Sequence, residues 1–122
     1  MDKEQNEKML MELIDYLDGL GHFSDIALYC NGHKYVSEPF ECPDASPCET
    51  ENGVVYYDAG ECDVMEAMEY ANPDRISMTF EGPFYDLLQE CPCVGQELND
   101  IGAKYGCYYD QGYSWDLSFY DE

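Results

Sequence analysis

Ile26-Ala27-Leu28-Tyr29-Cys30-Asn31-Gly32-His33-Lys34-Tyr35-Val36 decides the fold. Two runs of β-prone residues flank Asn31-Gly32, a pair that accepts the positive φ angles a two-residue hairpin turn demands. Residues 25–37 therefore read as a β-hairpin, and the chain contains at least one antiparallel pair. Upstream, Met9, Leu10, Leu13, Ile14 and Leu17 recur at steps of three and four. That stripe predicts an amphipathic helix over 3–18, with Glu4, Glu7, Glu12, Asp15 and Asp18 on the opposite face. Gly19 and Gly21 supply its stop. Only Lys8 sits among those acids, so i,i+4 ion pairing is scarce.

Downstream, residues 38–53 read as a loop, because Pro39, Pro43 and Pro47 break a ladder and five acids load the segment. Val54 to Tyr57 is a short strand. Residues 62–71 form a second helix, with Val64, Ala67, Met68 and Ala71 inward and Glu66 and Glu69 outward. Asn72-Pro73-Asp74 is a turn, and Arg75 to Phe80 alternates as a half-buried strand does. Gly82-Pro83 opens a helix from Phe84 to Gln89. Cys91 to Val94 is a connector, and Gln96 to Tyr105 is a helix ended by Gly106. Cys107 to Tyr109 and Tyr113 to Tyr120 close the chain as aromatic strands. The elements follow no strict βαβ rhythm. The expectation is one α+β domain over 1–122: a mostly antiparallel or mixed sheet with three to four helices packed against it.

The charge is far from ordinary. There are 27 acids against 5 basic residues, a formal net charge of −22 on 122 residues. Self-repulsion of this size opposes compaction. Yet 45% of the chain is hydrophobic, including 12 Tyr, 5 Phe and 1 Trp, which argues against a disordered acidic segment. The acids are dispersed through every segment, so a folded surface must hold them. Duplex DNA has one charge per 1.7 Å of axis, so 22 charges match roughly 37 Å of duplex. A domain of this length has a radius of gyration near 14 Å and a long dimension of about 35 Å. The chain thus has the net charge of a DNA segment about its own size.

Other chemistry is thinly represented. The N-terminus is no secretory signal, and no apolar run approaches the ~18 residues of a membrane span, so a cytoplasmic protein without membrane contact is expected. Seven cysteines cannot all pair within one chain, and reduced thiols are the expectation. Cys91-Pro92-Cys93 is too tight, and Cys42 to Cys48 too wide, for the usual zinc hooks. His22 and His33 show no spacing that favours a Cys–His nucleophile pair. No phosphate loop or His-Glu-x-x-His motif occurs, and Asp58 to Asp63 does not match a calcium loop. With one Arg and four Lys, direct nucleic-acid binding is disfavoured. The expectation is a binding protein, not an enzyme, without cofactor or metal.

Tyr56-Tyr57, Tyr108-Tyr109, Tyr113 and Tyr120 lie beside Asp58, Asp110, Asp116 and Asp121. Strands alternate faces, so about half of these rings belong to the core and the rest to an acidic outer face. Tyr rimmed by acids suits Arg and Lys side chains. The expected partner-binding residues are those of the second helix and its approaches, Asp58, Glu61, Asp63, Glu66 and Glu69. Next come Glu49 and Glu51 of the loop, and Asp110, Asp116, Asp121 and Glu122 at the C-terminus.

In this composition the chain resembles the anti-restriction and anti-CRISPR proteins of phages and conjugative elements, several of which are DNA mimics. The stretch Asn72 to Pro83 also looks like one in small proteins of bacterial mobile elements. The resemblance implies an inhibitor whose carboxylates engage the basic groove of a nucleic-acid-binding defence nuclease. A CRISPR effector is the first target class and a restriction enzyme the next. The alternatives are an acidic regulatory module for a basic protein partner, and a small Cys-dependent or zinc-binding protein.

Overall fold

A computed structural model describes residues 3–38, 44–68, 71–112 and 115–121. α1 (Lys3–Gly19) leads through a short 3-10 turn into β1 (Ile26–Cys30) and β2 (His33–Val36). β3 (Ser46–Glu49), β4 (Val55–Glu61), α2 (Val64–Ala67) and β5 (Ser77–Phe80) follow. α3 (Gly82–Glu90), α4 (Pro92–Ala103), β6 (Cys107–Gln111) and β7 (Asp116–Asp121) complete the chain. The strands form one sheet in the order β3-β4-β2-β1-β5-β7-β6, with every pairing antiparallel. The expected α+β architecture is what the chain adopts.

The decisive hairpin forms as read. Leu28 pairs with Tyr35 and Cys30 with His33, around Asn31 and Gly32 at φ 54° and 79°. Two successive positive φ angles fit the right-handed twist of the flanking strands. The turn is tied to the first helix, since Asn31 Nδ2 donates to the Lys3 carbonyl at 3.1 Å and Asn31 Oδ1 accepts from Asn6 Nδ2 at 3.1 Å.

One core lies between the sheet and the long helices. The α1 stripe Met9, Leu10, Leu13, Ile14 and Leu17 meets Leu28, Ile76, Met78, Leu117 and Phe119. Phe84, Val94, Leu98 and Ile101 join from α3 and α4. Burying five such side chains on α1 contributes on the order of 10 kcal/mol. The like-charge neighbours Glu4–Glu7, Glu12–Asp15 and Asp15–Asp18 cost only about 0.2–0.5 kcal/mol each. Burial wins by a wide margin, so α1 can be strongly acidic on its other face. α4 lies close to the sheet because Gly102 faces it: a Cβ there would sit 3.0 Å from the Cys107 carbonyl and 3.1 Å from the Phe119 ring.

The opposite face of the sheet is partly open. Tyr29 on that face is covered by Val64 and Met68, with Ala27, Cys62 and Ala71 around them.

The structure corrects several expectations. Residues 46–49 are a strand, although Pro47 lies within it. β3 is at the sheet edge and pairs with β4 alone, so a proline without N–H is tolerated there. The expected prolines Pro39 and Pro43 lie outside the described residues. The strand after them runs on to Glu61. The helix expected over 62–71 is a single turn, Val64–Ala67, and Met68 returns to extended backbone at φ −139°, ψ 140°. That turn alone places Val64 and Met68 on Tyr29, and the chain must then cross β2 and β1 to reach β5. Cys91 to Val94 is no connector: Pro92 starts α4, its missing N–H costing nothing in a first turn. β5 is more than half-buried: Ser77, on the face away from the core, is 0% exposed and its Oγ accepts from Ser118 Oγ at 2.8 Å, and only Thr79 is partly exposed.

Candidate functional site: an acidic helical layer

The residues expected to bind a partner do not form one site. Glu61, Asp63 and Glu66 are exposed at the end of β4 and on α2. Asp63 caps that helix, accepting from the Met65 N–H at 3.0 Å. Asp58 turns inward, where its Oδ1 meets His33 Nδ1 at 3.0 Å and accepts from the Gly60 N–H at 2.8 Å. The hollow beside Glu61 and Asp63 also contains Lys3, at the start of α1, and His33, so a lysine dilutes the charge there. Glu49 lies on edge strand β3 and Asp110 on the opposite edge, β6. Six strand spacings separate those edges, roughly 29 Å. Asp121 forms an ion pair with the buried Arg75. Asp116 is a correction: it is 0% exposed, embedded where β7 pairs with Thr79 of β5, and cannot face a partner. Glu69 and Glu122 lie outside the described residues.

The tyrosines divide as expected where they are described. Tyr56 is buried and Tyr109 packs on the core, whereas Tyr108 is exposed with its ring 6.1 Å from that of Tyr120. Tyr113 lies outside the described residues.

The helical layer gathers more charge than any of these places. On α1, Glu4, Glu7, Glu12, Asp15 and Asp18 fall within an arc of about 140°, at 3.6 residues per turn. They span roughly 21 Å of axis, a carboxylate about every 5 Å, against one phosphate per 3.4 Å of axis on each DNA strand. α4 packs against α1 and α3 against α4. α4 adds the exposed Glu97 and Asp100, and α3 adds the exposed Asp86 and Glu90. These nine carboxylates stand against three lysines, Lys3, Lys8 and Lys104.

Polar contacts hold the layer together. Lys104 Nζ lies 3.0 Å from Glu12 Oε2, and the Tyr105 hydroxyl donates to Glu12 Oε1 at 2.6 Å. Thr50 and Asn52, in the β3–β4 turn, donate to the two oxygens of Asp15 at 2.6 and 2.8 Å. Glu51 of the same turn shares a 220 Å³ hollow with Glu12 and Asp15. Of the expected residues, it alone joins the layer. Burial, the hydrogen bond to Glu12 and the charges of Glu12 and Glu51 push the Tyr105 hydroxyl up to about 12. Burial and the neighbouring Glu97 likewise hold the Tyr16 hydroxyl above its usual range.

The sequence places the acids of α1 on an outer face, but the expected binding residues do not include them. The periodicity of each helix was visible. That three helices lie side by side on one face of the sheet was not.

Cys62 shares a hollow with His33. However, Cys62 packs towards Tyr29, Val64 and Met68, while His33 turns to Asp58 and stacks on Tyr35. Burial pushes the Cys30 thiol up to about 12 and raises that of Cys48, which disfavours the reactive thiolate. Cys42 lies outside the described residues, and among those described no group of three or more His, Cys, Asp or Glu is placed to hold a metal ion. No described helix is long and apolar enough to cross a membrane. No protein-family model matches the chain, and no curated protein or solved structure matches it.

Proposed function

We propose that this protein is an inhibitor that occupies the positively charged nucleic-acid groove of a defence nuclease in the cytoplasm of a bacterial host. A CRISPR effector is the first target class and a restriction enzyme the second. The helical layer stands in for a stretch of phosphate backbone. Its nine carboxylates against three lysines are the observation that supports this reading most. Carboxylates offer partner arginines the bidentate geometry a phosphate offers, and a net charge of −22 steers encounter with a basic groove. No cofactor and no direct contact with nucleic acid enters this reading. The protein competes with nucleic acid and performs no chemistry on it.

The test is displacement. Labelled DNA is loaded on a panel of CRISPR effectors and restriction enzymes, and the protein is titrated in. Release of DNA from one class, with no binding of the protein to free DNA, is the expected result. No release from any member removes the reading.

A second reading has one observation in its favour. The exposed acids include Glu49 and Asp110 at opposite edges of the sheet, so charge is not confined to one face. An acidic module for a basic protein partner fits that spread. It predicts binding to basic proteins without displacement of nucleic acid.

A further inference from the structure

The edge strand β6 places an aromatic and acidic patch on the sheet face away from the core. Cys107 is buried and Tyr109 packs on the core, so strand alternation sends Tyr108 and Asp110 the other way. Tyr108 is 43% exposed and lies directly across from Tyr120 of β7, with ring centroids 6.1 Å apart and planes inclined by 34°. Tyr120 is its one ring neighbour among the described residues. Asp110 is exposed, and no described cation pairs with it. A hollow of about 240 Å³ lies beside them, lined by Asp110, Gln111, Gly112 and Tyr120.

A cross-strand ring pair adds modestly to the stability of a sheet. That accounts for two rings side by side, but not for an unpaired carboxylate and a hollow next to them. An aromatic face attracts cations through its quadrupole, and guanidinium, planar and weakly hydrated, stacks on it better than ammonium does. A carboxylate on the same face then takes the guanidinium N–H groups. An anionic ligand would meet Asp110 with no cation among the lining residues. An apolar one would leave Asp110 desolvated without a partner.

We infer that this patch is an anchor for an arginine side chain of a basic protein partner, laid on Tyr108 and held by Asp110 in the hollow beside Tyr120. The inference rests on the reading that the partner is basic, and it deepens that reading. α4 packs on the other face of the same strand, where Asn99 Oδ1 accepts from the Tyr109 N–H at 3.1 Å. The patch and the helical layer therefore share the β6 edge of the molecule, and a partner that embraces that edge meets both. The layer supplies diffuse, salt-sensitive attraction. The patch selects one residue type.

An octa-arginine peptide and an octa-lysine peptide, equal in charge, are titrated at one ionic strength into wild type, Tyr108→Thr, Tyr108→Phe and Asp110→Asn. Affinity is read by calorimetry, and the ring protons of Tyr108 and Tyr120 by nuclear magnetic resonance. Both peptides meet the carboxylates of the helical layer in every variant, so the difference between variants reads the patch alone. Wild type should favour arginine over lysine by about two- to fivefold more than Tyr108→Thr does, the range of an exposed cation–π contact. The ring protons of both tyrosines should shift with the arginine peptide. Tyr108→Phe should keep the preference, and Asp110→Asn should weaken arginine binding. Threonine suits a strand, so circular dichroism should not change in Tyr108→Thr. Equal discrimination by wild type and Tyr108→Thr overturns the inference. The two proposals fail separately. DNA displacement without that difference overturns the anchor alone. The difference without displacement supports the anchor and overturns the nucleic-acid groove reading.

Discussion

The two faces of the sheet handle charge in opposite ways. On the helix-covered face, apolar stripes point inward and nine carboxylates are left on the outer surface, laid out at near-regular steps along helices that pack side by side. On the other face the described acids stand around side chains of other kinds: Trp115 and Lys34 in one groove, and His33 near Glu61 and Asp63. The difference follows from periodicity. A helix that buries one stripe exposes the rest of its circumference, so acids three to five residues apart accumulate along it at about 5 Å steps. A strand exposes every second residue on one face, and the covering segment around Val64 and Met68 takes part of that face again. Dense charge belongs to the helices.

Charge reversal on the helical layer should have the largest effect. Glu7→Lys, Asp18→Lys, Glu97→Lys and Asp100→Lys together should weaken nuclease competition by at least about a hundredfold at low salt, since charge complementarity governs such encounters. All four are exposed, so far-ultraviolet dichroism should be unchanged. Glu61→Lys with Glu66→Lys, on the open side, should weaken it by less than about tenfold. If the second variant loses more than the first, the wrong face has been assigned.

A smaller effect tests how the helical layer is seated. Gly102→Ala places a methyl group 3.0 Å from the Cys107 carbonyl and against the Phe119 ring. Overpacking costs about 1–3 kcal/mol and the gain in helix propensity returns about 1 kcal/mol, so net destabilisation of roughly 1 kcal/mol is expected in urea melts. Gly19→Ala meets nothing within 4 Å and should not destabilise. Equal melts for the two variants would show that α4 does not approach the sheet closely.

Alkaline pH separates the layers further. The folded-state values of Tyr105 and Tyr56 are raised from 10.0 to about 12, by burial first and then, respectively, by Glu12 and by Cys48. A raised value means that the folded state holds its proton more tightly. The stability this contributes is whole below pH 10 and is lost as pH climbs from 10 to about 12. Thermal melts should fall across that window, and absorbance at 295 nm should show a late-titrating group of tyrosines. Synchronous titration near pH 10 in a folded protein would contradict it. The smallest effect is Lys104→Ala. It breaks a surface ion pair with Glu12 worth about 0–1 kcal/mol. It also removes one of the three lysines of the layer. Melting should barely move while competition tightens about two- to threefold.

Much of the fold was legible because local signals agreed with the tertiary outcome. Asn31-Gly32 gave the hairpin, the Met9 to Leu17 stripe gave α1, and Gly106 marked the stretch between α4 and β6. Failures occurred where neighbours distant in sequence decide. Pro47 enters a strand only because β3 is an edge, and edge position is not a local property. The segment 62–71 has a helical pattern, but its route over β2 and β1 leaves one helical turn. Asp116 looked like a surface acid in an alternating strand, and its burial arises from pairing with β5. The site was less legible still. Net charge pointed to a basic partner, but the expected residues were chosen by nearness in sequence. Surface density depends on which helices share a face.

The most direct measurement is displacement of labelled DNA from the target nuclease at two salt concentrations, 50 mM and 200 mM, on wild type and on the fourfold charge-reversed variant. Wild-type displacement should fall steeply with salt, by about a hundredfold or more, as phosphate mimicry demands. The variant should displace weakly at both salt concentrations. Displacement that is indifferent to salt, or equally strong in the variant, would contradict the claim that the helical layer stands in for DNA.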